Sequence, residues 1–78
     1  MRHMSHTVVA ELVAAVLEVE VQIGDTVAAD DPVVILESMK MEIPVLAEVA
    51  GTVSEISVSA GDVVSDGDPL VMITPSKG

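Results

Sequence analysis

The sequence predicts an all-β fold, a two-fold sandwich or flattened barrel, and three observations predict it. Half of the 78 residues are hydrophobic, yet none is Phe, Tyr or Trp. Valine dominates, and β-branched side chains suit pleated, half-buried surfaces. The chain also repeats itself at an offset of 37 residues, with Ala15–Val27 lying over Thr52–Val64 and Asp31–Leu36 over Asp68–Ile73 without a gap. Finally, the Gly-Asp and Asp-Pro punctuation falls at that same offset: Gly24-Asp25 over Gly61-Asp62, Asp31-Pro32 over Asp68-Pro69. Chance explains matched valines but not matched turns. Two copies are too few for a solenoid. They suffice for one sandwich in which the inner faces of both halves form a single core.

Each half reads in the same order. Val16, Glu18, Glu20 and Gln22 alternate with Leu17, Val19, Val21 and Ile23, the period-2 pattern of a half-buried strand. Gly24-Asp25 and Gly61-Asp62 then turn the chain. A short strand follows at Thr26-Val27 and at Val63-Val64. Asp30-Asp31-Pro32 and Asp66-Gly67-Asp68-Pro69 make the next turn, with the prolines at strand starts, where a ladder tolerates them. Apolar strands follow at Val33–Leu36 and Leu70–Ile73. A further strand is predicted from Ile43 through Val45 to Leu46. Leu12–Leu17 is the sole helix-like run, and it is short and valine-rich.

A chain of 78 residues makes one domain with a thin core. With no cysteine, apolar packing must hold it together. Residues 7–75 are expected to form that domain. Residues 1–6 are expected to be a flexible N-terminus, with Met1–Met4 a cloning remnant. The formal charge of −10 opposes binding to nucleic acid and to anionic membranes. No stretch approaches the roughly 18–20 apolar residues of a membrane span. Without a signal-peptide core or cysteine, a cytoplasmic monomer is expected.

Catalytic chemistry is scarce. There is no thiol, and Ser38, Ser54, Ser57, Ser59, Ser65 and Ser76 have no base partner in view. His3 and His6 lie near the terminus. Asp30, Asp31, Asp66 and Asp68 fit turn chemistry rather than a calcium-loop spacing. What stands out is Lys40. Lysine occurs only at Lys40 and Lys77, so Lys40 is the single lysine of the body. The chain must reverse between the strand ending near Leu36 or Glu37 and the one starting near Ile43. Met39-Lys40 offers none of the Gly, Asn or Pro that a tight hairpin prefers. Such a local conflict is expected where function overrides propensity. The repeat sets Lys77 opposite Lys40, which places Lys40 on a free tip far from the chain ends.

Glu37-Ser38-Met39-Lys40-Met41-Glu42 resembles the attachment motif of biotinyl domains, the carrier domains of biotin-dependent carboxylases. The resemblance runs from about Thr7 to Thr74 and includes Gly24-Asp25, Gly51-Thr52-Val53, Gly61-Asp62 and Pro69. It is nearest to the small single-domain biotin/lipoyl attachment proteins, as no catalytic domain is attached. It implies two four-stranded antiparallel sheets with quasi-two-fold symmetry and a hairpin lysine. The halves align without a gap, so no thumb insertion is expected. Ser38 stands where many relatives carry alanine. The resemblance further implies that biotin protein ligase joins biotin to Lys40. Met39 and Met41 would be read by the ligase and would present Lys40, and Glu37 would help to separate biotin from lipoate. The biotinyl arm would carry carboxyl groups between a biotin carboxylase and a carboxyltransferase. The chain would then be no enzyme but a carrier. Lys77 lacks the methionine flanks and is expected to stay unmodified. The alternatives are a lipoyl carrier, whose site typically reads Asp-Lys-Ala, and a biotinylated interaction protein outside carboxylase chemistry.

Overall fold

A computed structural model describes residues 5–76; Met1–Met4, and with them His3 and the expected cloning remnant, and Lys77 lie outside the described residues. Eight strands follow one another: β1 (His6–Val9), β2 (Ala14–Val19), β3 (Thr26–Val27), β4 (Pro32–Ser38), β5 (Met41–Leu46), β6 (Gly51–Ile56), β7 (Val63–Val64) and β8 (Pro69–Pro75). No helix occurs among the described residues. The strands form two four-stranded antiparallel sheets, ordered β1-β8-β6-β3 and β5-β4-β2-β7. The fold class is therefore the one the sequence predicts.

The internal repeat is the symmetry of the molecule. Strands β2, β3 and β4 recur as β6, β7 and β8, and β1 recurs as the last four residues of β5. Each sheet mixes strands of both halves, so neither half can bury its apolar face alone. The turns reciprocate as well. The Gly24 N–H donates to Val53 O and the Gly61 N–H donates to Val16 O, both at 2.8 Å. Both glycines have φ of 98°, a region that glycine occupies without steric cost. The aspartates beside them close the turns: Asp25 Oδ2 accepts from the Gln22 N–H and Asp62 Oδ2 from the Ser59 N–H, at 2.9 Å. Asp31 and Asp68 do the same for Ala28 and Ser65. Turn-closing hydrogen bonds thus engage all four of these carboxylates.

The core is aliphatic and symmetric. Leu36 and its repeat mate Ile73, Val34 and Val71, Val33 and Leu70, and Val16 and Val53 are all buried in one core cluster. No polar or charged residue among those described is buried.

One detail differs from the sequence expectation. The alternation predicted through Val16–Ile23 breaks once, because the register shifts between Val16 and Glu18. Val16 points inward, Leu17 and Glu18 both point outward, and Val19 returns toward the core. Strand β6 carries the same bulge between Val53 and Glu55. A bulge adds one unpaired residue and inverts the phase beyond it. Strand β1 begins at His6. His6 pairs with Ile73, and its Nε2 lies 2.7 Å from Glu48 Oε1.

Beyond the bulge, Glu18 and Glu20 share the outer face. A hydrogen bond that the protonated Glu20 carboxyl donates to Glu18, with desolvation and the Glu18 charge adding to it, raises the Glu20 pKa above the usual 4.5. A carboxyl whose folded pKa is raised binds its proton more tightly in the folded state. That contribution is present below the unfolded pKa and is lost as pH rises through the folded one. The expected outcome is that Glu20→Gln lowers the Tm at pH 4 relative to the Tm at pH 7, read by circular dichroism.

Candidate functional site

Strand β4 ends at Ser38 and β5 begins at Met41, with Ser38 paired to Met41. Met39 and Lys40 alone make the connection. Their φ angles are 53° and 66°, the both-positive pattern of a type I′ hairpin. That turn matches the twist of the flanking strands and normally takes Asn-Gly. Left-handed backbone costs an L-residue with a β-carbon about 1–2 kcal/mol. The conflict read in the sequence is thus present in the structure at both residues. Replacing one of them by a residue that tolerates this region relieves it. Met39→Asn is expected to stabilise the fold by about 1 kcal/mol, a rise in Tm of about 4–8 °C, readable by thermal melting.

The side chains explain what the strain preserves. Met39 is 91% exposed and Met41 is 64% exposed. Apolar side chains that fill a core are buried, so these two are not packing residues. Lys40 is exposed between them. It is the sole Lys or Arg among the described residues, and it makes no salt bridge there. An unengaged primary amine on a two-residue tip can reach into another protein's active site. That is what covalent attachment of a carboxylic acid requires of it.

Glu37 stands two residues behind the turn, paired directly with Glu42 and exposed. Like charges opposite each other in a sheet are destabilising, and Lys40 is the nearest cation in the sequence. The four site residues predicted from the sequence, Glu37, Met39, Lys40 and Met41, come together on this one hairpin. Sequence reasoning assigned no role to Glu42, or to Val13 and Val63, which are exposed at the same end of the molecule. The available signal was a break in the repeat, since Val63 lies over Thr26 and Val13 over Ala50.

The tip faces away from the end of β8. Strand β5 runs from the tip to Leu46, and Ala50 and Gly51 follow within a short link. Gly51 pairs with Pro75, and Ala50 O accepts from the Ser76 N–H at 2.9 Å. The end of β8 therefore lies a full strand length from Lys40.

Comparison with known proteins agrees with this geometry. The family described as "Biotin-requiring enzyme", the biotin/lipoyl family, matches residues 3–73. The biotinylated protein TB7.3 of Mycobacterium tuberculosis is 62% identical over 42 residues, which is 54% of this chain and 59% of that protein. The TB7.3 homologue of Mycolicibacterium smegmatis is 60% identical over 42 residues. The chain thus spans about three fifths of the length of these relatives. Among solved structures, a single-chain, multi-domain long-chain acyl-CoA carboxylase superimposes with a TM-score of 0.88 at 31% identity, over 100% of this chain and 8% of that one. The urea carboxylase of Kluyveromyces lactis gives 0.86 at 32%, over 94% of this chain and 6% of that one. The lipoyl domain of the 2-oxoglutarate dehydrogenase complex of Azotobacter vinelandii gives 0.73 at 26%, over 90% of this chain and 99% of that one.

Proposed function

This chain belongs to the biotin/lipoyl family of attachment domains, and from that premise we propose that it is a biotin carrier whose Lys40 holds the prosthetic group in an amide bond. The observation that carries the reading is the exposed Met39-Lys40-Met41 tip, held in left-handed backbone that neither residue of the turn favours. The relatives named for being biotinylated and the carboxylase structures support biotin as the group. The exposed amine fits it, since amide formation needs only an accessible nitrogen.

The chain acts in this scheme as substrate and tether, in the cytoplasm. Lys40 Nζ, after losing a proton, attacks the acyl carbon of biotinyl-adenylate on biotin protein ligase. The C–N bond forms as the mixed anhydride bond breaks and AMP leaves. Met39 and Met41 offer the ligase flexible apolar contacts. Glu37 marks the strand behind them. When bound, biotin supplies a ureido nitrogen that takes up and releases a carboxyl group. The rigid hairpin and the four-carbon lysine stem then keep that group within reach of a biotin carboxylase and a carboxyltransferase in turn. Tethering of this kind raises the local concentration at a partner site to about the millimolar range.

Reconstitution tests the carrier role. Biotinylated chain incubated with a biotin carboxylase, ATP and labelled bicarbonate is expected to acquire acid-labile label. Absence of label on fully biotinylated chain would instead place it among interaction proteins outside carboxylase chemistry. The lipoyl reading is favoured only by the likeness to the Azotobacter vinelandii domain, whose TM-score is lower than those of the two carboxylases.

A further inference from the structure

The two sheets are related by the repeat, yet their outer faces have different chemistry. In the β5-β4-β2-β7 sheet, one row lies directly behind the Lys40 turn: Glu42, Glu37, Ala15 and Val63 are paired across the four strands. The matching row of the other sheet is Thr74, Thr52 and Thr26. Threonine has become alanine, valine or glutamate at each of these positions. The next row repeats the contrast in part, with Leu17 over Ser54 and Pro44 over Thr7, while Ile35 and its mate Met72 are apolar in both sheets. Thus one face presents more hydroxyls, and the other presents more apolar residues with an acidic edge.

Four exposed apolar side chains cluster at the tip, against Ile23 and Leu46 at the opposite end. Val63 is 73% exposed and Val13 is 65% exposed, and they join Met39 and Met41 at the Lys40 end. At the opposite end, the repeat mates of Val13, Val63 and Met39 are Ala50, Thr26 and Ser76. The fold does not require apolar residues here, because the same backbone positions in the other half are served by small or hydroxylated ones. Water-facing valines paired with a like-charged Glu37–Glu42 couple are costly to the isolated domain. Both costs fall when an apolar surface with a cationic rim covers the face.

We propose that the outer face of the β5-β4-β2-β7 sheet, centred on Val13, Leu17 and Val63 and edged by Glu37 and Glu42, docks the enzyme that acylates Lys40. This rests on the reading of Lys40 as the attachment site. The occupant is that ligase rather than a later partner for a geometric reason. In acylation the reacting atom is Lys40 Nζ itself, so the ligase must close onto the tip and onto the row behind it. A later partner meets the end of a long arm and can stay farther away. A second copy of this chain is disfavoured, because it would set Glu37 and Glu42 against further carboxylates. The matching surface on the ligase is apolar and flanked by Lys or Arg.

The repeat supplies the test. Val63→Thr and Leu17→Ser, combined with Val13→Ala, install the residue that the other half already carries at each position, so folding is tolerated. Initial rates of biotin incorporation by a purified ligase are measured against carrier concentration. KM is expected to rise about tenfold or more. The mirror variant Thr26→Val with Ser54→Leu is expected to leave KM unchanged. Raising salt is expected to increase the wild-type KM through screening of the acidic edge. If the triple variant melts below the assay temperature, Val63→Thr alone is used, with an expected rise of about threefold. An unchanged KM in the folded variant, or an equal rise in the mirror variant, overturns the docking face. Failure of wild-type chain to take up biotin at Lys40 overturns the attachment reading instead.

Discussion

Lys40→Arg is expected to abolish biotin incorporation, with streptavidin capture of the variant falling to the level of chain never exposed to ligase. Arginine keeps the positive charge, the length and the exposed position, so the hairpin and the surface around it persist. What it removes is the nucleophile. A guanidinium stays protonated in water and offers no free lone pair, whereas an ammonium can lose a proton and attack an activated acyl group. The loss should be complete rather than graded, because Lys40 is the only Lys or Arg between residues 5 and 76. An unchanged melting temperature shows that the effect is chemical. Residual capture of the Lys40→Arg chain would point to Lys77 and undo the argument that presentation on a strained turn selects the site.

The second large effect is expected far from the tip. Gly51 is buried and opens β6, pairing with both Pro75 and Val27. A methyl group there would lie 2.2 Å from the Thr74 carbonyl oxygen and 2.8 Å from Pro75 Cα. Both obstacles are backbone of β8, held in register by its pairing with β6, so neither can step aside. Gly51→Ala is expected to cost about 3 kcal/mol or more, and therefore to lower Tm by about 12 °C or more. Its repeat mate is Ala14, buried with its methyl in place, so the requirement comes from the close approach of β8 and not from the strand position. Gly24→Ala is the informative contrast. No atom lies within 4 Å of its added methyl, but its φ of 98° is strained for any other residue. A cost of only about 1 kcal/mol follows from the backbone alone. Equal melting temperatures for the two variants would contradict the packing account.

The repeat made most of the fold legible. Gly-Asp and Asp-Pro at a constant offset announced two equivalent halves, and the turns are built by those residues. The aspartates close their turns with side-chain hydrogen bonds of 2.9 Å. What the sequence concealed was the bulge after Val16. A single inserted residue leaves composition unchanged and shifts only the phase, so the alternation looked unbroken through Ile23. At the site, the mismatch between Met39-Lys40 and the demands of a hairpin was readable directly, and the positive φ angles are its structural form. The difference between the two outer faces was not. It emerges only when strand register shows which residues share a row, and when the repeat shows that hydroxyls could have stood there.

The most direct measurement is tandem mass spectrometry of the chain after co-expression with an active biotin protein ligase and biotin. The expected result is a single biotinyl adduct, localised to Lys40 within the peptide that contains Met39 and Met41, with Lys77 unmodified. A lipoyl adduct on Lys40, a biotinyl adduct on Lys77, or intact chain that gains no mass would each contradict a biotin carrier that presents its one body lysine on a strained hairpin tip.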